Sequence, residues 1–215
     1  MSGRLFRVGL GGLIASGKSS LAAALVASSE LQEAIGGAVE HLDVDALLRS
    51  ARANDAALRD AILTAVPDVR RPDGSLDSAL LAARAFADPA VMHRLEALQW
   101  PIVRVALSEA SRAAEERGVR LLLVEAIALG RSGLAEVLDG VLFLQVDEAV
   151  RRQRFVARGG SADDFQLRNA AQAGIPAEME RIGALTIDGS GSLPETVHAA
   201  SQALRRLCLQ GESSD

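Results

Sequence analysis

Tyrosine is absent from this 215-residue sequence, tryptophan occurs once and phenylalanine five times, so aromatic residues amount to only 3%. The core must therefore be built mainly from Leu, Ala and Val. A single cysteine, Cys208, excludes an internal disulfide and any cysteine-based zinc cage. No apolar run approaches the roughly 18–20 residues needed to span a bilayer. The opening MSGRLFRVGL passes from charge straight into a short apolar stretch, without the h-region or cleavage site of a signal peptide. A cytoplasmic protein with no membrane partner is expected. The net charge of −5 argues against a broad basic face, so no nucleic-acid partner is expected either. The scarcest residue of all is lysine. Of 23 basic residues, 22 are arginine, a preference that a GC-rich coding bias explains, and one is Lys18. Coding bias does not explain its position.

What is present suits one soluble domain. At 49% hydrophobic and 24% charged, the chain is able to bury a core, and its length fits one domain with insertions better than two. Lys18 lies in GLGGLIASGKSSLAAAL, Gly9 to Leu25. Leu5 to Leu10 reads as a buried strand, and Ser19 to Leu31 as a helix of good formers. Between them, Gly12 to Ser19 satisfies G-x-x-x-x-G-K-[ST], the phosphate-binding loop. Gly12 and Gly17 allow a tight turn in which the backbone along Leu13, Ile14, Ala15 and Ser16 points its N–H groups at phosphate oxygens. The start of the next helix, at Lys18, Ser19 and Ser20, completes the cradle. Lys18 reaches the β- and γ-phosphates of a nucleotide as a compact charge, where arginine's planar fork would not fit in the same way. Ser19 offers its hydroxyl to Mg²⁺. The strand-to-helix context separates this motif from a chance match in a Gly-rich turn. The dinucleotide pattern G-x-G-x-x-G fails, because Gly9-x-Gly11 is followed by Ile14.

Further along, Val39 to Asp43 reads as a second strand, Leu121 to Ala126 as a third, Val141 to Val146 as a fourth and Leu185 to Ile187 as a short fifth. Residues 46–118 read as helical, divided by turn signals at Pro72-Asp73-Gly74, Asp88-Pro89 and Trp100-Pro101, with Gly118 closing the last helix. An arginine-rich helix follows the fourth strand and ends at Gly159-Gly160. Ser161-Ala-Asp-Asp164 and Ser192-Leu-Pro194-Glu195 are capping boxes, the second with proline at the first helical position. Alternating strands and helices predict an α/β fold, a parallel five-stranded sheet flanked by helices. The whole of 1–215 is one domain of P-loop NTPase type. Its core is 1–45, 119–148 and 177–215, with an inserted helical substrate cap at 46–118 and an arginine-rich lid at 149–176.

Ligands of such sheets bind beyond the carboxyl ends of the strands, where the loop and Asp43–Asp45 fall. An aspartate there accepts the attacking hydroxyl's proton or helps to hold Mg²⁺. Asp45 is the preferred base and Asp43 the metal candidate, although either one is also suited to capping the next helix. Arg151, Arg154 and Arg158 share a helical face. Arg154 and Arg158 are assigned to the transferring phosphoryl group, and Arg151 and Arg152 to solvent. His41, His93 and His198 show no metal spacing and read as structural.

Taken together, these segments resemble the dephospho-coenzyme A kinase family. GLGGLIASGKSS is similar to that family's G-L-T-G-G-I-x-S-G-K-S-T, LDVDALLR to I-D-A-D, and DGSLDSALLAARAFADP to D-G-x-L-D-R-x-x-L-x-x-x-x-F. LEALQWPIV resembles L-E-x-I-x-H-P-x-V, RQRFVARGGSADDFQLRNAAQ resembles R-x-x-x-R followed by R-x-x-x-Q, and TIDGSGSLPE resembles I-D-N-x-G-S. The resemblance implies transfer of the γ-phosphoryl of ATP, with Mg²⁺, to the ribose 3′-hydroxyl of dephospho-CoA. It implies that Asp45 is the base, Lys18 and Ser19 the phosphate and metal groups, and Arg154 and Arg158 the lid. Asp188 and Gly191 would lie near the adenine, while Arg168 and Gln172 match lid positions without an assigned role.

Five positions depart from the pattern. Trp100 replaces a histidine, Ile127 and Arg131 replace the proline and the glutamate of P-L-L-x-E, Leu13 a glycine and Gly189 an asparagine. The nucleotide-holding parts are thus better kept than the acceptor side. Three readings follow, with overall coverage favouring the first. The chain is a dephospho-CoA kinase, a divergent kinase of another small-molecule hydroxyl such as a nucleoside-like compound or secondary metabolite, or a non-catalytic ATP-binding module. Its partner is a small-molecule acceptor, and the chain is a monomer or a small homo-oligomer.

Overall fold

The computed structural model describes residues 4–130 and 132–212. Five apolar segments form strands: β1 (Phe6–Gly12), β2 (Val39–Asp43), β3 (Leu121–Glu125), β4 (Gly140–Gln145) and β5 (Leu185–Asp188). They pair in the order β2-β3-β1-β4-β5, and every pairing is parallel. The helices are α1 (Lys18–Val26), α2 (Ser29–Ile35), α3 (Val44–Asn54), α4 (Ala56–Ala65), α5 (Ser78–Ala87), α6 (Pro89–Glu116), α7 (Glu148–Ala157), α8 (Ala162–Ala171), α9 (Ile175–Arg181) and α10 (Leu193–Glu212). Helices on both faces are what continuous apolar strands such as LLLVE require, since each face must be covered. All five residues of β3 are buried.

On one face, Leu21 and Leu25 of α1 and Ala200 and Leu204 of α10 pack on Leu10, Leu123 and Leu142. On the other, Val103 and Leu107 of α6 and Ile175 and Met179 of α9 pack on Leu122, Val124 and Phe143. A third apolar cluster lies wholly within 46–118, around Leu58, Ile62, Leu81, Ala85 and Val91. The register sets the functional edge of the sheet. Asp43 at the end of β2 is opposite Glu125 at the end of β3, and Glu125 is opposite Leu10 of β1.

Several boundaries differ from the sequence expectation for physical reasons. The helix expected over 19–31 is two helices, because the Ser28 side chain accepts from Leu31 N at 3.2 Å and caps α2. The stretch around Pro72-Asp73-Gly74 is an irregular turn closed by a bridge between Arg70 and Leu76. Aspartates open the four helices between β2 and β3: Asp43, Asp55, Asp77 and Asp88 accept from the backbone N–H groups of α3, α4, α5 and α6. The Ser192 box is reciprocal, with Ser192 N donating to Glu195 Oε2 and Glu195 N to Ser192 Oγ. Pro194 there is the second helical residue rather than the first. Trp100-Pro101 does not end a helix, and α6 runs through it for 28 residues. Packing on both sides of the junction, by Ile102 in the cap cluster and Val103 on the sheet, outweighs the lost hydrogen bond.

An interior proline costs a helix about 3 kcal/mol. Pro101→Ala is therefore expected to raise the thermal midpoint by several degrees, at about 2–4 °C per kcal/mol for a chain of this size. A scanning-calorimetry midpoint that stays the same or falls would show that the helix is shaped around the ring.

Candidate active site

The loop between β1 and α1 is built as its motif requires. Gly17 adopts φ 98°, a left-handed conformation that favours glycine, and forms the N-cap of α1. At Gly12 a Cβ would come within 2.7 Å of Ser16 Oγ and 3.1 Å of the Leu144 carbonyl oxygen, so no side chain fits. Lys18 is buried, and its Nζ donates to Gly12 O at 2.9 Å and to Leu13 O at 3.5 Å. Burial pulls its pKa down, while the charges of Glu125, Asp45 and Asp43 push it back up. Ser16 is also buried, and its hydroxyl makes no hydrogen bond among the described residues.

The strongest partner of Ser19 is a residue to which the sequence reading gave no role. Glu125, buried at the end of β3, accepts from Ser19 Oγ at 2.8 Å. Its other oxygen lies 3.1 Å from His41 Nε2, an ion-pair distance without hydrogen-bond alignment. Burial raises the Glu125 pKa, but His41, the Ser19 hydroxyl and Lys18 outweigh it and hold the carboxyl below its ordinary value. The available signal was an acidic residue closing an apolar strand, as the aspartate of a Walker B strand does. A hydroxyl and a buried carboxylate at one point are hard oxygen donors, which fits Mg²⁺. His41, expected to be structural, thus stands beside the loop's acidic partner.

Asp43 and Asp45 part company. Asp43 Oδ1 accepts from Ala46 N at 2.8 Å and caps α3. Asp45, in the first turn of α3, faces a cavity, and burial raises its pKa against the opposing pull of Lys18.

Side chains of α7 and of the residue after α8 hold the loop from the other side. Gln172 is buried, and its Oε1 accepts from Ile14 N at 2.7 Å. Arg154 Nη1 donates to Ser16 O at 3.0 Å and Nη2 to Gly189 O at 3.1 Å, joining the loop to the segment after β5. Arg151, which the sequence reading placed in solvent, is only 4% exposed. It donates to Val146 O at 3.1 Å and to Asn169 Oδ1 at 2.8 Å, reaches Ile14 O at 3.5 Å and lies over the Phe165 ring. The same helical face therefore carries a buried structural arginine beside one that binds the loop. Arg168 pairs with Asp164 at 2.9 Å and stacks 4.9 Å from the Phe86 centroid.

Two cavities flank the loop. The larger, about 690 Å³, lies between the helices of 46–118 and the loop, and its lining includes Ile14, Asp45, Arg49, Arg52, Trp100 and Arg168. The smaller, about 200 Å³, is lined by Ser16, Gly17, Ser20, Arg154, Arg158 and Gly191, among others. Asp188 does not line it, and its carboxylate instead accepts from Ser190 N at 2.8 Å. Leu13 and Ala15 complete the loop, Leu13 half-buried against the core and Ala15 at φ 58°. Arg131 lies outside the described residues.

The family model for dephospho-CoA kinase matches residues 6–195. The chain belongs to this family. Among curated members, the dephospho-CoA kinase of Anaeromyxobacter dehalogenans is 35% identical over 92% of this chain and 89% of its own length. That of Deinococcus radiodurans is 34% identical over 94% and 92%. A crystal structure from Thermus thermophilus superposes with a TM-score of 0.72 at 31% identity, covering 94% of this chain and 97% of the other. Dephospho-CoA kinase relatives indicate a phosphotransferase with an alcohol acceptor, and the five-stranded parallel α/β sheet is that of the P-loop kinases. No helix of the described residues is long and apolar enough to cross a membrane.

Arg151→Met would strand the Val146 carbonyl and the Asn169 amide oxygen, at a cost of about 1–3 kcal/mol. Thermal melts should show a midpoint several degrees lower for Arg151→Met and no change for Arg152→Met, whose side chain is exposed. Equal midpoints for the two variants would deny Arg151 its structural role.

Proposed function

We propose that the protein transfers the γ-phosphoryl group of ATP to the ribose 3′-hydroxyl of dephospho-CoA, producing CoA in the cytoplasm. The observation that carries this reading is that the phosphate loop is a shared wall. Ile14 lines the larger cavity, Ser16 and Gly17 line the smaller one, and Asp45 stands on the larger side. ATP would occupy the smaller cavity, with its base near Gly191 and the segment that follows Asp188, and its phosphates along Gly12 to Ser20. The acceptor would occupy the larger cavity, its diphosphate facing Arg49, Arg52 and Arg168.

In this reading Asp45 takes the proton of the attacking hydroxyl. The new O–P bond forms as the bond to the β,γ-bridging oxygen breaks, and ADP leaves. A carboxylate held at raised pKa by burial is a better base than one in water. Lys18 neutralises the β- and γ-phosphates, and Arg154 and Arg158 supply charge to the transferring group and exclude water. Ser19, with Asp43 and Glu125 behind it, would hold Mg²⁺, which when bound neutralises phosphate charge. We assign residues 46–118 to an acceptor cap, 149–176 to a lid and the remainder to the core of one domain, working as a monomer or small homo-oligomer. Trp100 lines the acceptor cavity where relatives are expected to carry histidine, and this favours, as a second reading, a different small-molecule hydroxyl.

A coupled assay with Mg²⁺-ATP and dephospho-CoA should show equal formation of ADP and CoA. ADP formed only with another hydroxyl compound would select the second reading. Lys18→Ala should lower kcat/KM at least about a hundredfold, and full activity would refute the loop assignment. Asp45→Asn should lower kcat about 10²–10⁴-fold while leaving ATP affinity near its original value. Unchanged turnover would place the base elsewhere.

A further inference from the structure

The apolar face of α6 is interrupted at one position. Four residues before Gln99 stands Leu95 and four after it stands Val103, both packed in apolar clusters, so helical spacing calls for an apolar side chain at 99. Gln99 is instead only 5% exposed, and its Nε2 is enclosed without a hydrogen-bond partner among the described residues. An amide buried in this way destabilises the folded chain, because its lost hydration is not replaced. Yet Gln99 is also part of the wall of the 690 Å³ cavity, together with Asp45, Arg49 and Trp100. A polar group kept unsatisfied in the wall of a cavity is what a ligand contact looks like before the ligand arrives.

We propose that the Gln99 side-chain amide donates a hydrogen bond to a lone-pair acceptor of the phosphoryl-accepting substrate, a carbonyl oxygen or ring nitrogen, and thereby selects that substrate. The proposal rests on the acceptor reading of this cavity given above. It assigns Gln99 to binding and specificity, not to the chemical step. Substrates that lack such an atom leave the amide buried and unpaired in the complex, and they are rejected for that reason.

The test compares the unsubstituted protein with Gln99→Leu and the volume-conserving Gln99→Met. Both substitutions should leave the thermal midpoint equal or higher, since each replaces an unsatisfied amide by a side chain suited to its neighbours. Both should raise the Kd and KM for dephospho-CoA about tenfold and leave KM for ATP unchanged. Unaltered dephospho-CoA affinity in variants of a protein that binds it would overturn the role of Gln99 alone. A lowered midpoint in both variants, with ATP and acceptor affinity falling together, would make Gln99 structural and also overturn it. Failure of the unsubstituted protein to bind dephospho-CoA would overturn the acceptor reading and this inference together.

Discussion

A single buried ammonium organises the functional end of this molecule. Lys18 is removed from water, and burial alone would drive it toward its neutral form. Three carboxylates oppose that shift: Glu125, Asp45 and Asp43. They come from the ends of β3 and β2 and the start of α3, so the parallel order of β2, β3 and β1 is what delivers them. An antiparallel partner for β1 would direct its terminal carboxylate to the opposite edge of the sheet. Sheet topology and site electrostatics are therefore one requirement, with Glu125 satisfying both Lys18 and the Ser19 hydroxyl.

The loop around Lys18 is not a self-sufficient structure. Its Ile14 N–H is taken by Gln172, its Ile14 carbonyl lies within reach of Arg151, and its Ser16 carbonyl is taken by Arg154. All three partners lie in the segment from α7 to Gln172, the residue that follows α8. A nucleotide bound at the loop, as proposed, would compete for the same polar groups and so act on that segment directly, without a longer route for the coupling.

How much of this was legible depended on whether the signal was local. The phosphate loop was readable because eight consecutive residues fix its shape, and all five strands were readable because apolar runs of that length have few other uses. Glu125 was hidden by its context: within Leu121 to Ala126 it reads as one more residue of a strand, and only the β1–β3 pairing reveals that it meets Ser19. Arg151 and Arg154 share one helical face, so spacing does not separate them. What separates them is tertiary, the Val146 carbonyl, Asn169 and the Phe165 ring waiting for one and the loop for the other. Gln172 matched a family position without a role until its contact with Ile14 was visible. The break expected at Pro101 failed for the converse reason, a local rule overridden by packing.

That override bears on the acceptor side. α6 belongs to two apolar clusters, with Val91, Leu95 and Ile102 in the cap and Val103, Leu107 and Ala114 against the sheet. A helix that broke at Pro101 would leave these clusters joined by flexible chain, and the cavity between them would have no fixed width. A continuous helix makes the two clusters share one wall, on which Gln99 and Trp100 sit beside the proline. The position of that wall relative to Asp45 is then set by helix packing rather than by a loop, and an acceptor bound there as proposed would meet the fixed placement that transfer between two bound molecules requires. Pro101 and Gln99, whose Nε2 has no hydrogen-bond partner among the described residues, thus lie two residues apart on the stretch of α6 that joins the two clusters.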